Sequence, residues 1–242
     1  MKNDSDLDSK QAVDSEETVA EKITEVLPKP YYQDEYVTLY HGDCRELLPL
    51  MPKVDLVLTD PPYGIGYDTA KANKPNQKQF KVIVNDDSFE LAKAVISWRS
   101  DNPMVIFGAI NFPKLLPSKG RWICWDKRCS EKADKMLGSP FELAWSNRKS
   151  GYDRMYRILH GGVVNANGKG PRFHPTEKPI VLMQRIIEQD YKNAEVILDP
   201  FAGSGTTLIA VKRLGKKAIG IEIEEKYCEV AAKRLRQEVL GL

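Results

Sequence analysis

The sequence predicts an α/β fold in which a largely parallel sheet is covered by helices on both faces. Three observations predict it. Short apolar runs recur from Tyr36 to the C-terminus, separated in the second half by segments of helical period. Several runs, such as "VDLVL" and "PMVIF", are apolar at nearly every position, as strands buried on both faces must be. One run, "EVILDPF", passes through a Gly-x-Gly turn straight into a helical pattern.

The elements follow in order. Residues 1–14 are polar and acidic, a composition that does not bury a core, and are expected to be disordered. Ser15 can cap a helix whose stripe is Val19, Ile23, Val26 and Leu27, stopped by Pro28 and Pro30. That stripe could dock on the body or on a partner. Residues 1–30 therefore form an acidic tail with one helix, and 31–242 a single domain. Strands are predicted at 36–43, 54–60, 103–108, 121–127, 141–147, 195–201 and 217–223. Ile180, Met183 and Ile187 share one helical face, with Pro179 in the first turn. A second helix carries Leu208, Val211 and Leu214 and is closed by Gly215. The last steps through Tyr227, Ala231, Leu235 and Val239. Two segments break the rhythm: 64–81, with four lysines, and 148–173, rich in Gly, Asn and Arg. Loops of this length in a compact domain are usually functional or mobile.

The bulk numbers are those of an ordinary globular chain: 242 residues, 42% hydrophobic and 29% charged. No apolar run reaches the roughly 18 residues of a membrane span, and no secretory leader is legible. Cys44, Cys124, Cys129 and Cys228 form no CxxC pair, and there are three histidines. A zinc site or disulfide framework is not expected, and reduced thiols in the cytoplasm are. The net charge of +2 hides an asymmetry: residues 1–26 hold eight acids against three lysines, so the rest of the chain carries +7. A basic body suits a polyanionic partner.

"ILDPFAGSGTT" (197–207) places Gly203 and Gly205 between a strand and a helix, where the backbone can turn tightly and a ligand can approach it. Ser204, Thr206 and Thr207 add hydroxyls at the helix start, where exposed N–H groups favour a carboxylate or phosphate. The next strand ends in Glu222, placed to accept from both hydroxyls of a ribose. The stretch is neither GxGxxG nor a P-loop, lacking the third glycine of one and the lysine of the other. Far upstream, "LTDPPYG" (58–64) ends another apolar run with an acid, two prolines and an aromatic.

Together, "DPPY" at 60–63 and "DPFAGSGTT" at 199–207 resemble the S-adenosylmethionine-dependent DNA amino-methyltransferases, which modify exocyclic amines of DNA bases. With "HPTEKP" (174–179) just before the glycine-rich motif, the order resembles the β group of that family, over roughly 36–240. The resemblance implies a class I methyltransferase fold: a Rossmann-like, seven-stranded mixed, mostly parallel sheet with helices on both faces. It implies S-adenosylmethionine as cofactor, with Asp43 and Cys44 near its adenine and Asp199, Phe201, Gly203, Gly205, Thr206, Thr207 and Glu222 around the rest. Lys178, with His174 and Thr176, would touch its methionine end; otherwise His174 and Lys178 would only fix the start of the next helix. Asp43 could likewise be a simple strand-ending turn.

The chemistry explains the residue types. An exocyclic amine is a poor nucleophile because its lone pair is delocalised into the ring. Two acceptors aimed at its N–H groups localise that pair. The Asp60 carboxylate is one, and the Pro61 carbonyl, held by Pro61 and Pro62 with no competing N–H, is the other. Tyr63 offers a face for stacking, worth roughly 1–3 kcal/mol per base in single-strand binders. The base must be flipped out of double-stranded DNA to reach them. Lys71, Lys74, Arg148, Lys149, Arg154 and Arg157 are the expected phosphate or guanine contacts. No metal is required. The chain lacks a separate block for target recognition, so recognition is short, relaxed or shared with a second subunit of a homodimer. Adenine N6 is the favoured target because "DPPY" is typical of the adenine enzymes; cytosine N4 is the alternative. A non-catalytic nucleic-acid-binding module that kept the fold is the reading from another class. The setting implied is the cytoplasm of a bacterial, archaeal or phage-infected cell, with restriction protection among the roles.

Overall fold

The computed structural model describes residues 27–64, 87–128, 139–148, 151–159 and 177–237. The expected helix from Ser15, most of the 64–81 loop with Lys71 and Lys74, Lys149, His174, Thr176, Cys129 and Val239 lie outside these residues.

All seven expected strands are present: β2 (Val37–His41), β3 (Leu56–Thr59), β4 (Met104–Phe107), β5 (Arg121–Asp126), β6 (Phe141–Ser146), β8 (Val196–Asp199) and β9 (Lys217–Glu222). Two more lie at the sheet's margins, β1 (Tyr32–Gln33) and β7 (Arg154–Arg157). The order is β1-β2-β9-β8-β3-β4-β6-β5-β7. β1 and β6 run antiparallel to their neighbours, and the other pairings are parallel. β7 corrects the reading of 148–173 as unbroken loop. Its sequence, "RMYR", is half charged because it pairs on one side only, with β5, and three of its four residues are exposed. An edge strand of this kind has a polar, loop-like composition.

The central strands explain their own composition. On β3, Leu56 and Leu58 enter one core and Val57 the opposite one, since successive side chains point to opposite faces. The first core is built with α3 (Ile180–Asp190), α4 (Thr206–Arg213) and α5 (Glu225–Gln237), through Leu182, Met183, Ile186, Leu208, Val211, Ala231 and Leu235. The second is built with α1 (Cys44–Leu47) and α2 (Glu90–Ser97), through Leu47, Leu91 and Val95. Cys44, Cys124 and Cys228 are free thiols. Among the described residues no helix is long and apolar enough to cross a membrane.

Candidate active site at the carboxyl edge of the sheet

β3 and β8 are neighbours in parallel, with Leu56 opposite Ile197 and Val57 opposite Leu198. Their carboxyl ends therefore emerge side by side, although the two motifs they carry are far apart in sequence. A direct bond joins them: Thr59 Oγ1 donates to Asp199 Oδ1 at 2.6 Å in a buried contact. The Phe201 N–H donates to the same oxygen at 3.1 Å. Burial pushes the Asp199 carboxyl up to about 6, against the opposing pull of Thr59, Thr207 and the Phe201 amide.

The glycine-rich turn is built beside it. Gly203 (φ 52°) and Gly205 (φ 84°) are both left-handed, a region most residues with a Cβ avoid. A Cβ on Gly205 would also stand 3.0 Å from that of Ala231. Glu222, at the end of β9, accepts from the Gly203 N–H through one oxygen and the Glu224 N–H through the other, both at 2.8 Å. Its pKa is raised to about 6 by burial, against those two bonds. A carboxylate has about four acceptor positions, so two remain for a ligand. Thr206 and Thr207 are buried at the start of α4, and Thr206 Oγ1 is buried with no hydrogen-bond partner among the described residues. Asp43 lies two residues beyond β2 and caps α1, accepting from the Arg45 N–H at 2.8 Å. Cys44 follows, buried, its thiol pushed up to about 12 by burial.

Asp60 sits one residue beyond β3. Tyr63 Oη donates to its Oδ1 at 2.7 Å, and the Lys178 ammonium contacts its Oδ2. Pro61 is buried, and Pro62 and Tyr63 are half-buried. Tyr63 thus folds back on Asp60 rather than standing out as an open stacking face. Gly108, at φ 67°, makes room for it: a Cβ there would fall 1.9 Å from the tyrosine ring.

Lys178 was expected at a cofactor's methionine end, but the structure sets it against the Asp60 carboxylate. Its Nζ is also 3.4 Å from Tyr63 Oη and 3.4 Å from Glu142 Oε2, and 5.3 Å from the centre of the Phe107 ring. Glu142 in turn contacts Lys127. Burial opposes charge on Lys178, but the facing Asp60 and Glu142 carboxylates overcome it and hold its pKa well above the usual lysine value. Burial raises the Asp60 pKa, with Lys178 pulling the other way. For Glu142 burial also works upward, yet Lys178 and Lys127 prevail and hold the pKa low. Glu142 arrives because β6 is reversed, so its beginning lies at the edge where the parallel strands end. Sequence reading missed it; an acid inside the strand pattern "FELAWS" was the available signal. It also missed Arg234 on α5, which donates to Ser204 O at 2.8 Å and Oγ at 2.9 Å and to Glu177 at 3.0 Å.

The arginines of 148–173 divide. Arg157, at the carboxyl end of β7, is largely exposed and 3.5 Å from Asp126 on the site's edge. Arg154 opens β7, about 10 Å back from Arg157 at strand rise, and Arg148 follows the far end of β6; both side chains turn away from that edge. There they meet Asp190, whose buried carboxylate also takes Arg121 at 2.8 Å and Tyr156 Oη at 2.7 Å. Their expected place beside a base-binding cleft is not where the structure puts them, because β6 ends and β7 begins at the far edge.

The sheet and the helices on its two faces have the class I methyltransferase fold, and two sequence motifs meet at one edge of it. Within that fold class the chain is similar to N6/N4 DNA methyltransferases. Residues 125–233 match the family profile N6_N4_Mtase, described as DNA methylase. The Type II methyltransferase M2.LlaDCHI of Lactococcus lactis subsp. cremoris is 27% identical, over 88% of this chain and 94% of its own. M2.DpnII of Streptococcus pneumoniae matches at the same identity and coverage. The M1.HpyAVI–SAM complex superposes with a TM-score of 0.53 at 24% identity, covering 82% of this chain and 98% of that one. The cytosine-N4-specific PvuII DNA methyltransferase superposes at 0.56 and 18%, covering 85% and 88%.

Proposed function

We propose that the protein moves a methyl group from S-adenosylmethionine to the exocyclic N6 of an adenine flipped out of double-stranded DNA. The observation that carries this is the partly buried Asp60 carboxylate, which follows Thr59 and is tied through the Thr59–Asp199 bond to the strand that leads into the Gly203–Gly205 turn.

The residues fit the cofactor. The left-handed glycines make a tight turn that a Cβ would strain, Thr206 has a buried hydroxyl with no hydrogen-bond partner among the described residues, and Glu222 keeps two acceptor positions beside them. These residues, with Asp199 and Phe201, would hold it, and Asp43 and Cys44 would line the adenine end. When bound, it supplies an electrophilic methyl group on a sulfonium.

Asp60 and the Pro61 carbonyl accept the two N–H groups of the target amine and localise its lone pair. The amine nitrogen must be held about 3–3.5 Å from the carbon it attacks, so alignment is the protein's main contribution. The lone pair forms the new N–C bond. The proton that the nitrogen then sheds passes to Asp60 or to water. Tyr63 packs against the base while remaining tied to Asp60. Arg157 and the lysines beyond Gly64, Lys71 and Lys74, hold phosphates.

The test is methylation of a random-sequence DNA library, read by nucleoside mass spectrometry and by position. N6-methyladenine is expected. N4-methylcytosine would reassign the base, and DNA binding without any transfer would leave only a binding module. Asp60→Ala is expected to abolish transfer while cofactor affinity stays within a few-fold, because Lys178 keeps Glu142 as a partner.

A further inference from the structure

Two carboxylates face one ammonium beside the reacting position. Lys178 Nζ contacts Asp60 Oδ2 and stands 3.4 Å from Glu142 Oε2. That second oxygen is buried and makes no hydrogen bond among the described residues, while its twin is occupied by Lys127. Glu142 therefore presents a weakly engaged acceptor, within ion-pair reach of an ammonium held more closely by Asp60. Its backbone is fixed opposite Trp125 on β5.

We propose that Glu142 is a positioning residue that receives the Lys178 ammonium from Asp60 when the target amine enters. The inference rests on the reading of Asp60 as the acceptor of that amine. As the new N–C bond forms, positive charge grows on the amine nitrogen. The carboxylate meant to stabilise that charge is, before substrate arrives, already neutralised by an ammonium in contact with it. An ammonium left there would repel the growing charge. Moving it a short way to Glu142 frees Asp60 and leaves no charge unpaired, since the cluster holds Asp60, Glu142, Lys178 and Lys127 before and after. A lysine's long flexible stem allows such a shift, which starts from a position beside the Phe107 ring.

The charged and titratable groups facing Asp60 are Tyr63, Lys178, Glu142 and, across the motif junction, Asp199, with Lys127 behind Glu142. Removing the Glu142 charge removes a like charge from beside Asp60, so Asp60 ionises at lower pH. The experiment is single-turnover methyl transfer by the full chain across about pH 5 to 9, with and without Glu142→Gln, alongside cofactor affinity by calorimetry. Glu142→Gln is expected to lower the plateau rate constant about tenfold and to move the acid limb to lower pH, with cofactor affinity changed less than about twofold. A wild-type rate with an unmoved acid limb, or a rate loss matched by lost cofactor binding, overturns the proposal. A crystal structure of the wild-type protein with DNA and a non-reacting cofactor analogue decides independently. Lys178 is expected on Glu142 and off Asp60, and finding it still on Asp60 with the base seated overturns the proposal. A wild-type protein that transfers no methyl group refutes the enzymatic reading itself, an outcome visible in the control.

Discussion

Thr59 reaches across from β3 to donate its hydroxyl to Asp199 on β8 at 2.6 Å, tying the strand that delivers Asp60 to the strand that delivers the glycine-rich turn. The bond is buried, so its loss leaves a charged acceptor short of a partner away from water. Thr59→Val is expected to destabilise the fold by about 1–3 kcal/mol at neutral pH, measured by urea unfolding, whereas Thr59→Ser is expected to be much milder.

The same carboxylate sets a pH dependence. Asp199, at about 6 when folded, lies above its reference value of 3.8, so the native state holds an extra proton between those limits. Stability from this group is fully present below about pH 4, declines as pH rises toward about 6, and is level above. Glu222, raised from 4.5 to about 6, acts in the same direction. Asp199→Asn is expected to flatten unfolding free energy across that window.

Cofactor affinity has the opposite slope. Glu222 must be ionised to accept from two hydroxyls, so affinity is expected to hold above pH 7 and to fall below about 6, by up to about tenfold per pH unit. Glu222→Gln should weaken binding at pH 8 and remove most of this dependence in calorimetric titrations.

Gly108 has a left-handed φ and no room for a side chain beside Tyr63. Gly108→Ala is expected to cost about 1–3 kcal/mol through backbone strain and to displace Tyr63 from Asp60. Transfer rate should then fall more than cofactor affinity, in paired kinetic and binding measurements.

The arginines offer a test by location. Arg157→Ala should reduce the salt slope of DNA binding by about one. Arg154→Ala, at the far edge, should leave that slope unchanged and cost less than about 1 kcal/mol of stability, its side chain being half exposed. Asp190→Ala is more severe, about 3–5 kcal/mol, because it strands the buried Arg121.

What could be read in advance follows from physics. β3, β4 and β8 are buried on both faces, so their apolar runs announced them, and the glycine turn and "DPPY" lie at strand ends where local sequence reports local geometry. β7 escaped because an edge strand is composed like a loop. Glu142 escaped because its importance lies in a contact with Lys178, across strands and across 36 positions of chain. Lys178 was singled out but given a different neighbour, since sequence places it before α3 without showing which carboxylate it faces.

The reversal of β6 has a practical outcome for engineering reach. β5 leaves the sheet, and β6 re-enters it, on the reactive side, so anything spliced between positions 127 and 140 would start and finish at the edge that carries Asp60. A graft between positions 147 and 153 would hang instead from the back of the molecule. Swapping the first connection is expected to alter the reactive edge, and swapping the second to leave it unchanged.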